Sequence, residues 1–345
     1  MNLNKLLRKN ILEMKAYSSA RDEYKDLESE MVFLDANENP FETSVNRYPD
    51  PNQSILKSFI SNQKNVAINQ LLLGNGSDEV LDLIFRAFCE PNQDSIISLP
   101  PTYGMYDVLA NLNAIENIQV PLSEKFQLEV DRILANVKTN TKLIFICSPN
   151  NPSGNTLDSA AIEQLLHAFS GVVVIDEAYI DFTDEISWTE RLKMHPNLIV
   201  TQTFSKAYGL AGIRLGLCYA SQEIIAVLNK IKPPYNINTL TQKTALKTLQ
   251  NQDQVASQVT TVLKERNRLV KAFENYSFIK KIHPSEANFL LIEVDDANKR
   301  YNELIKKGIV VRNRSTQLHC ENCLRVTVGT PSENTLLLTQ LKTLK

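Results

Sequence analysis

Five short apolar runs constrain the fold of this chain more than any other feature: LLL at 71–73, SIISL at 95–99, KLIFICS at 142–148, GVVVID at 171–176 and LIVTQT at 198–203. Each is bounded by turn or polar residues and carries little polar alternation, so each reads as a strand buried on both faces. Amphipathic stretches such as SDEVLDLIFRAF (77–88) and SAAIEQLLHAF (159–169) lie between them. Strand and helix in alternation imply an α/β fold, a mostly parallel central sheet with helices on both faces. From about residue 240 the style changes. A long helical region over 241–276 precedes ANFLLIEV, GIVVRNR, CLRVTVGT and a final helix, a pattern for a smaller α+β domain. The length of 345 residues leaves room for about two such units.

Charge narrows the class. Thirty-seven basic against thirty-nine acidic side chains leave a formal charge of −2, unlike the basic excess of nucleic-acid or membrane-surface binders. No apolar run approaches the ~18 residues of a membrane span, and MNLNKLLRKNILEMK has no secretory-signal pattern. Leu3, Leu6, Leu7 and Ile11 in that segment fall at helical spacing and predict an amphipathic helix of a few turns. Five scattered cysteines fit a reduced, cytoplasmic protein. The close pair in HCENC (319–323) has no second ligand cluster, so it reads as a strand-edge loop and no metal is expected.

Ligands of parallel α/β sheets bind beyond the carboxyl ends of strands, and four such ends are informative. After LLL, GNGSDE (74–79) opens a helix whose first amides, at Gly76, Ser77 and Asp78, suit an anion. A plain helix cap would look the same. After KLIFIC, SPNNPSG (148–154) is a rigid turn that holds the Asn151 amide in one orientation, or a simple loop. After GVVVI, DEAY (176–179) puts the Asp176 carboxylate at a buried strand end, where it requires a cationic partner from protein or ligand. No Gly-Lys dipeptide exists to make this the metal-binding strand of a phosphate-loop NTPase. After LIVTQT, TFSKAYGLAGIRLG (203–216) offers the Ser205 hydroxyl, the Arg214 fork for phosphate, and Gly209, Gly212 and Gly216 to keep the backbone close. Positive neighbours and a partly dry pocket would lower the Lys206 pKa and free its lone pair. Pyridoxal 5'-phosphate has a phosphate, a protonated ring nitrogen and an aldehyde that condenses with a lysine, and it gives each strand end a role.

With those motifs in view, the sequence resembles the fold-type I aminotransferases, and within them the family that transaminates histidinol phosphate. The likeness runs through KAYSSAR, LDANENPF, RYPD, GNGSDE, PPTYGMY, SPNNPSG, VIDEAY, TFSKAYGLAGIRLG, SEANFLL, GIVVR and CLRVTVGT in family order. The resemblance implies that Lys206 bonds the cofactor aldehyde and then moves the substrate α-proton, that Asp176 pairs with the ring nitrogen, and that Asn151 and Tyr179 bond the ring's phenolic oxygen. It implies Tyr103 stacked on the ring, and the Gly76, Ser77 and Asp78 amides, Ser205 and Arg214 on the phosphate. Arg312 and Arg325 become a basic pocket for histidinol phosphate and glutamate, with 2-oxoglutarate as a product. Tyr17 and Asn37 become residues closing over substrate, and Tyr48 reaches the neighbouring site of a homodimer. Ser153 and Tyr208 depart from the family's usual threonine and phenylalanine.

The implied organisation is an N-terminal arm (1–45) packing on the small domain and a partner subunit, a large cofactor-binding domain (46–240) and a small C-terminal domain (241–345). Two enzymes of the same fold, threonine-phosphate decarboxylase and an aromatic amino-acid aminotransferase, stay open as alternatives. A non-catalytic regulatory domain is a third, although no helix-turn-helix pattern accompanies it.

Overall fold

A computed structural model describes residues 2–17 and 32–344. One sheet holds seven strands, β1 (Leu71–Asn75), β2 (Ser95–Ser98), β3 (Glu116–Gln119), β4 (Thr141–Cys147), β5 (Val172–Asp176), β6 (Leu198–Thr203) and β7 (Leu215–Ala220). Their order is β1-β7-β6-β5-β4-β2-β3. Four neighbouring pairs are parallel, while β7 runs antiparallel to both β6 and β1. Two reversals restore direction, so β1, β2, β4, β5 and β6 all end at one edge of the sheet.

The five apolar runs all became strands. Their residues alternate between two cores: Ile144, Ile146, Val173 and Ile175 pack on one face, Leu143, Phe145, Val172 and Val174 on the other. Both faces are dry, which is why these runs carry no polar alternation. The helix Ser77–Phe88 buries Val80, Leu81, Ile84, Phe85 and Phe88 against the second face. The edge strand β3, ENIQ, and the antiparallel β7, LGLCYA, are additions to the expected set.

A second, antiparallel sheet comprises β8 (Ile279–Ile282), β9 (Phe289–Val294), β10 (Arg312–Asn313) and β11 (Cys323–Thr327), ordered β10-β11-β9-β8. It has its own core, in which Leu290, Ile292, Leu324 and Val326 meet Leu269 and Phe273 from the helix Gln252–Phe273 and Leu337 and Leu341 from the last helix. That last helix, Pro331–Leu341, starts with a capping box between Thr330 and Glu333 and a proline in its first turn.

One helical expectation is refined and another needs correction. The region 241–276 is two helices, Thr239–Leu249 and Gln252–Phe273. Asn251 leaves the helical conformation between them (φ −121°, ψ 54°), within a polar run, QNQD, of modest helix propensity. The N-terminal segment is not one helix either. A 3-10 turn at Leu3–Lys5 and a short helix at Lys9–Glu13 flank an extended Arg8, whose N–H bonds the Ala87 carbonyl (3.0 Å). The leucines still pack on the second core, and Ile11 is buried. Among the described residues no helix is long and apolar enough to cross a membrane.

Candidate active site

The shared strand edge opens into a cavity of about 470 Å³. The segments after five strands and the residue before β7 supply its wall: Ser77 and Asp78 after β1, Tyr103 after β2, Asn151 after β4, Asp176 and Tyr179 at and after β5, Ser205 and Lys206 after β6, and Arg214 before β7. Arg312 and Arg325 enter from the second sheet. They are a directly opposed cross-strand pair of β10 and β11, so their side chains leave the same face. Like charges placed opposite each other repel, and no carboxylate makes an ion pair with either among the described residues.

At one end lies an anion cradle. Gly76 caps the helix Ser77–Phe88 with a φ of +81°, and a Cβ there would stand 2.6 Å from Arg214 Nη2. Gly216 is equally obligatory, since a side chain would drive into the Ser77 backbone. Gly209 and Gly212 have open space around them, so close approach explains only one of the three glycines of that stretch. Arg214 itself sits in the left-handed region (φ 52°) and reaches Asp78 Oδ2 at 3.5 Å. The Asp78 carboxylate also accepts from Tyr103 Oη at 3.0 Å.

At the other end Asp176 is 3 % exposed. It accepts from Tyr106 Oη (2.9 Å) and the Ala178 amide (3.2 Å), and no cation forms an ion pair with it among the described residues. Burial raises its pKa from 3.8 to about 6 against the pull of those two donors. A carboxylate held there calls for a ligand cation. Its sequence neighbour Glu177 is a structural group: it is buried and accepts from Ser187 Oγ, the Trp188 amide and Gln202 Nε2.

Lys206 stands between these ends, 5.7 Å over the Tyr179 ring. Its side chain is exposed to the open cavity, yet crowding by the walls first, and the Arg325 charge second, lower its amine below the ordinary lysine value. Asn151 Oδ1 accepts from Arg325 Nη1, which links the turn after β4 to the second sheet. Burial pushes the Tyr179 hydroxyl up in pKa.

Tyr106, which bonds Asp176 from the core, and the cavity residues Arg314 and Gln317 were not singled out from the sequence. Tyr106 is fully buried and packs edge-on to Tyr103 (5.7 Å). Arg314 and Gln317 line the wall beside Arg312, and Arg314 Nε and Gln317 Oε1 are buried without a hydrogen-bond partner. Burial first, then the charges of Arg325 and Arg312, lower the Arg314 pKa. The spacing of Arg312 and Arg314, two residues apart at the end of an extended segment, was the available signal.

Tyr17, Asn37 and Tyr48 are not in this cavity. Tyr17 is 72 % exposed; Asn37 and Tyr48 border a separate hollow with Val45 and Leu240, and Tyr48 stacks on Tyr235 at 4.5 Å. Neither Tyr17 nor Asn37 contributes to the cavity wall. Residues 18–21 of KAYSSAR lie outside the described residues.

A cavity with a helix N-terminus and Arg214 at one end, a buried carboxylate without an ion-pair partner among the described residues at the other, and a lysine of lowered pKa between them fits pyridoxal 5'-phosphate, and the scaffold is that of fold type I. Residues 22–341 match the family "Aminotransferase class I and II", and the chain belongs to it. It is 60 % identical over 343 residues, 99 % of each chain, to histidinol-phosphate aminotransferase of Flavobacterium psychrophilum. Among solved structures it resembles the histidinol-phosphate aminotransferase of Clostridium acetobutylicum, with a TM-score of 0.80, 25 % identity and coverage of 87 % of this chain and 90 % of that one. The fold is also that of the Sinorhizobium meliloti histidinol-phosphate aminotransferase solved with pyridoxal-5'-phosphate (TM-score 0.78, 22 % identity, 87 % and 84 % covered).

Proposed function

We propose that this protein is a histidinol-phosphate aminotransferase, exchanging the amino group between L-histidinol phosphate and glutamate in histidine biosynthesis, with imidazole acetol phosphate and 2-oxoglutarate as the oxo partners. One observation carries the reading: Arg312, Arg314 and Arg325 meet at the mouth of the Lys206–Asp176 cavity with no carboxylate to balance them among the described residues. Such a wall binds anionic substrates, and a guanidinium fork accepts a phosphate or a carboxylate equally well.

Pyridoxal phosphate, when bound, supplies an aldehyde that bonds amines and a ring that draws electrons from the substrate α-carbon. Arg214, Ser205 and the amides of Gly76, Ser77 and Asp78 would hold its phosphate. Asp176 would keep the ring nitrogen protonated, Tyr103 would pack against the ring, and Asn151 with Tyr179 would bond its phenolic oxygen. Lys206 Nζ, whose amine the cavity walls and the Arg325 charge hold below the ordinary lysine value, would carry a proton between the substrate α-carbon and the cofactor aldehyde carbon. Arg312 and Arg325 orient the substrate so that this proton faces Lys206.

The same reading includes a homodimer. Tyr48 is 51 % exposed, turned away from its own cavity, and available to a neighbour's site. Tyr17 and Asn37 belong with it as arm residues (1–45) that close over substrate, and the large and small domains divide near residue 240. Five free, buried cysteines suit a cytoplasmic location.

The test is purified protein with histidinol phosphate and 2-oxoglutarate, following glutamate and cofactor absorbance. Glutamate release is expected, and Lys206→Ala should abolish it while cofactor still binds noncovalently. Release of carbon dioxide without an oxo-acid acceptor, or phenylpyruvate serving as well as imidazole acetol phosphate, would replace this reading by one of its two same-fold rivals.

A further inference from the structure

Outside the cavity, two of the chain's four histidines meet one carboxylate. His167 follows Glu163 by four residues on the helix Ser159–Ala168, which places both on one face. His195 arrives from the loop before β6, its backbone N–H bonded to the Arg191 carbonyl (3.3 Å). His195 Nε2 lies 2.7 Å and His167 Nε2 3.4 Å from the same oxygen, Glu163 Oε1. All three atoms fall within 4.8 Å of one another.

The His195 contact is close but closes no hydrogen bond. The ring is 3 % exposed and its Nε2 has no partner of acceptable direction. A buried ring nitrogen set this close to a carboxylate oxygen without an aligned bond is satisfied by a metal ion drawn between them, as it would be by a realigned N–H. The other oxygen, Oε2, accepts from Arg191 Nη1 at 2.8 Å. That bond fixes the carboxylate's rotation, as outer partners do in metal sites. His167 is 69 % exposed, and a cavity of about 520 Å³ adjoins both histidines, giving an ion and its waters a way in.

We propose that Glu163, His167 and His195 form a binding site for a divalent transition-metal ion of the zinc class, with water completing the coordination. Ligands at about 2.0–2.2 Å from a tetrahedral ion stand roughly 3.3–3.6 Å apart. The His167–Glu163 separation already has that value, and the His195 contact needs to open by less than ~1 Å. Two imidazoles with one carboxylate select zinc over magnesium or calcium, which take oxygen ligands. The Arg191 charge opposes a dication, which keeps the affinity moderate.

The probe is Zn²⁺ alone, added to the pyridoxal-phosphate holoenzyme and measured by competition with a chromophoric chelator and by thermal unfolding. Wild type should bind one equivalent per chain and rise in Tm with zinc. His167→Gln, at an exposed position that does not threaten folding, and Glu163→Gln should each weaken binding at least about tenfold and remove the zinc-dependent rise. No uptake by wild type overturns the proposal. Equal uptake by wild type and His167→Gln also overturns it, since the zinc would then sit elsewhere, for example at Cys320 and Cys323.

Discussion

Replacing Asp176 by asparagine should act on stability in opposite senses with and without cofactor. In the cofactor-free protein, burial moves the carboxyl from 3.8 to about 6, so the folded state prefers the protonated acid. The stability this group contributes is fully present below about pH 4 and is lost as the pH rises through about 6. A rise of about two pH units converts to about 3 kcal/mol. Asparagine never ionises. Cofactor-free Asp176→Asn should therefore gain about 3 kcal/mol on wild type between about pH 4 and pH 8. Altered hydrogen bonds to Tyr106 and the Ala178 amide are present at both pH values and cancel in that difference. Saturating pyridoxal phosphate should reverse the order at pH 8, because the ionised carboxylate then has a cationic ring nitrogen as partner and wild type gains more from binding. Denaturant unfolding at the two pH values, with and without cofactor, supplies all the quantities. A gap between variant and wild type that ignores pH in the cofactor-free protein would refute the burial argument, and equal stabilisation by cofactor would refute the pairing.

The remaining predictions probe other parts of the same architecture. Gly76→Ala forces a side chain into a φ of +81° and against Arg214; about 1–3 kcal/mol of stability should go, with cofactor affinity falling alongside, as titration by absorbance would read. Arg314→Gln should raise KM for the phosphate-bearing substrate about tenfold or more while kcat changes little, the value of a hydrogen bond to a charged group. Phe145→Ala empties a site stacked between Phe85 (5.1 Å) and Tyr106 (4.9 Å). It should cost about 3–5 kcal/mol in denaturant unfolding. Mixing Lys206→Ala and Tyr48→Ala chains should restore activity that neither homodimer has, since one site of the hybrid combines an intact lysine with a neighbour's intact tyrosine. Hybrids as inactive as the parents would place Tyr48 outside the partner's site.

Legibility in the sequence follows from how local each cause is. The runs at β4, β5 and β6 were readable because a strand buried on both faces must be apolar throughout, a demand met within the strand itself. β3 was not, since ENIQ holds its place through backbone bonds to β2 at the sheet edge and has little side-chain pattern of its own. β7 was hidden for another reason: its apolar residues continue the stretch that carries Arg214 and the glycines, and one segment served two purposes. Lys206 and Asp176 stood out because few residue types can perform covalent amine chemistry or sit charged at a buried strand end. Tyr106 did not, because a phenol is ordinary in a core until the fold brings it 2.9 Å from Asp176, seventy residues away. Tyr17 and Tyr48 are the extreme case. Both present exposed rings that line no part of this chain's cavity, so nothing in the packing of the single chain marks them for a role there. His195 and Glu163 make the same point inside one chain: thirty-two positions separate them, and only the return of the backbone to the start of β6 turns a helical Glu-x-x-x-His pair into three converging ligand atoms.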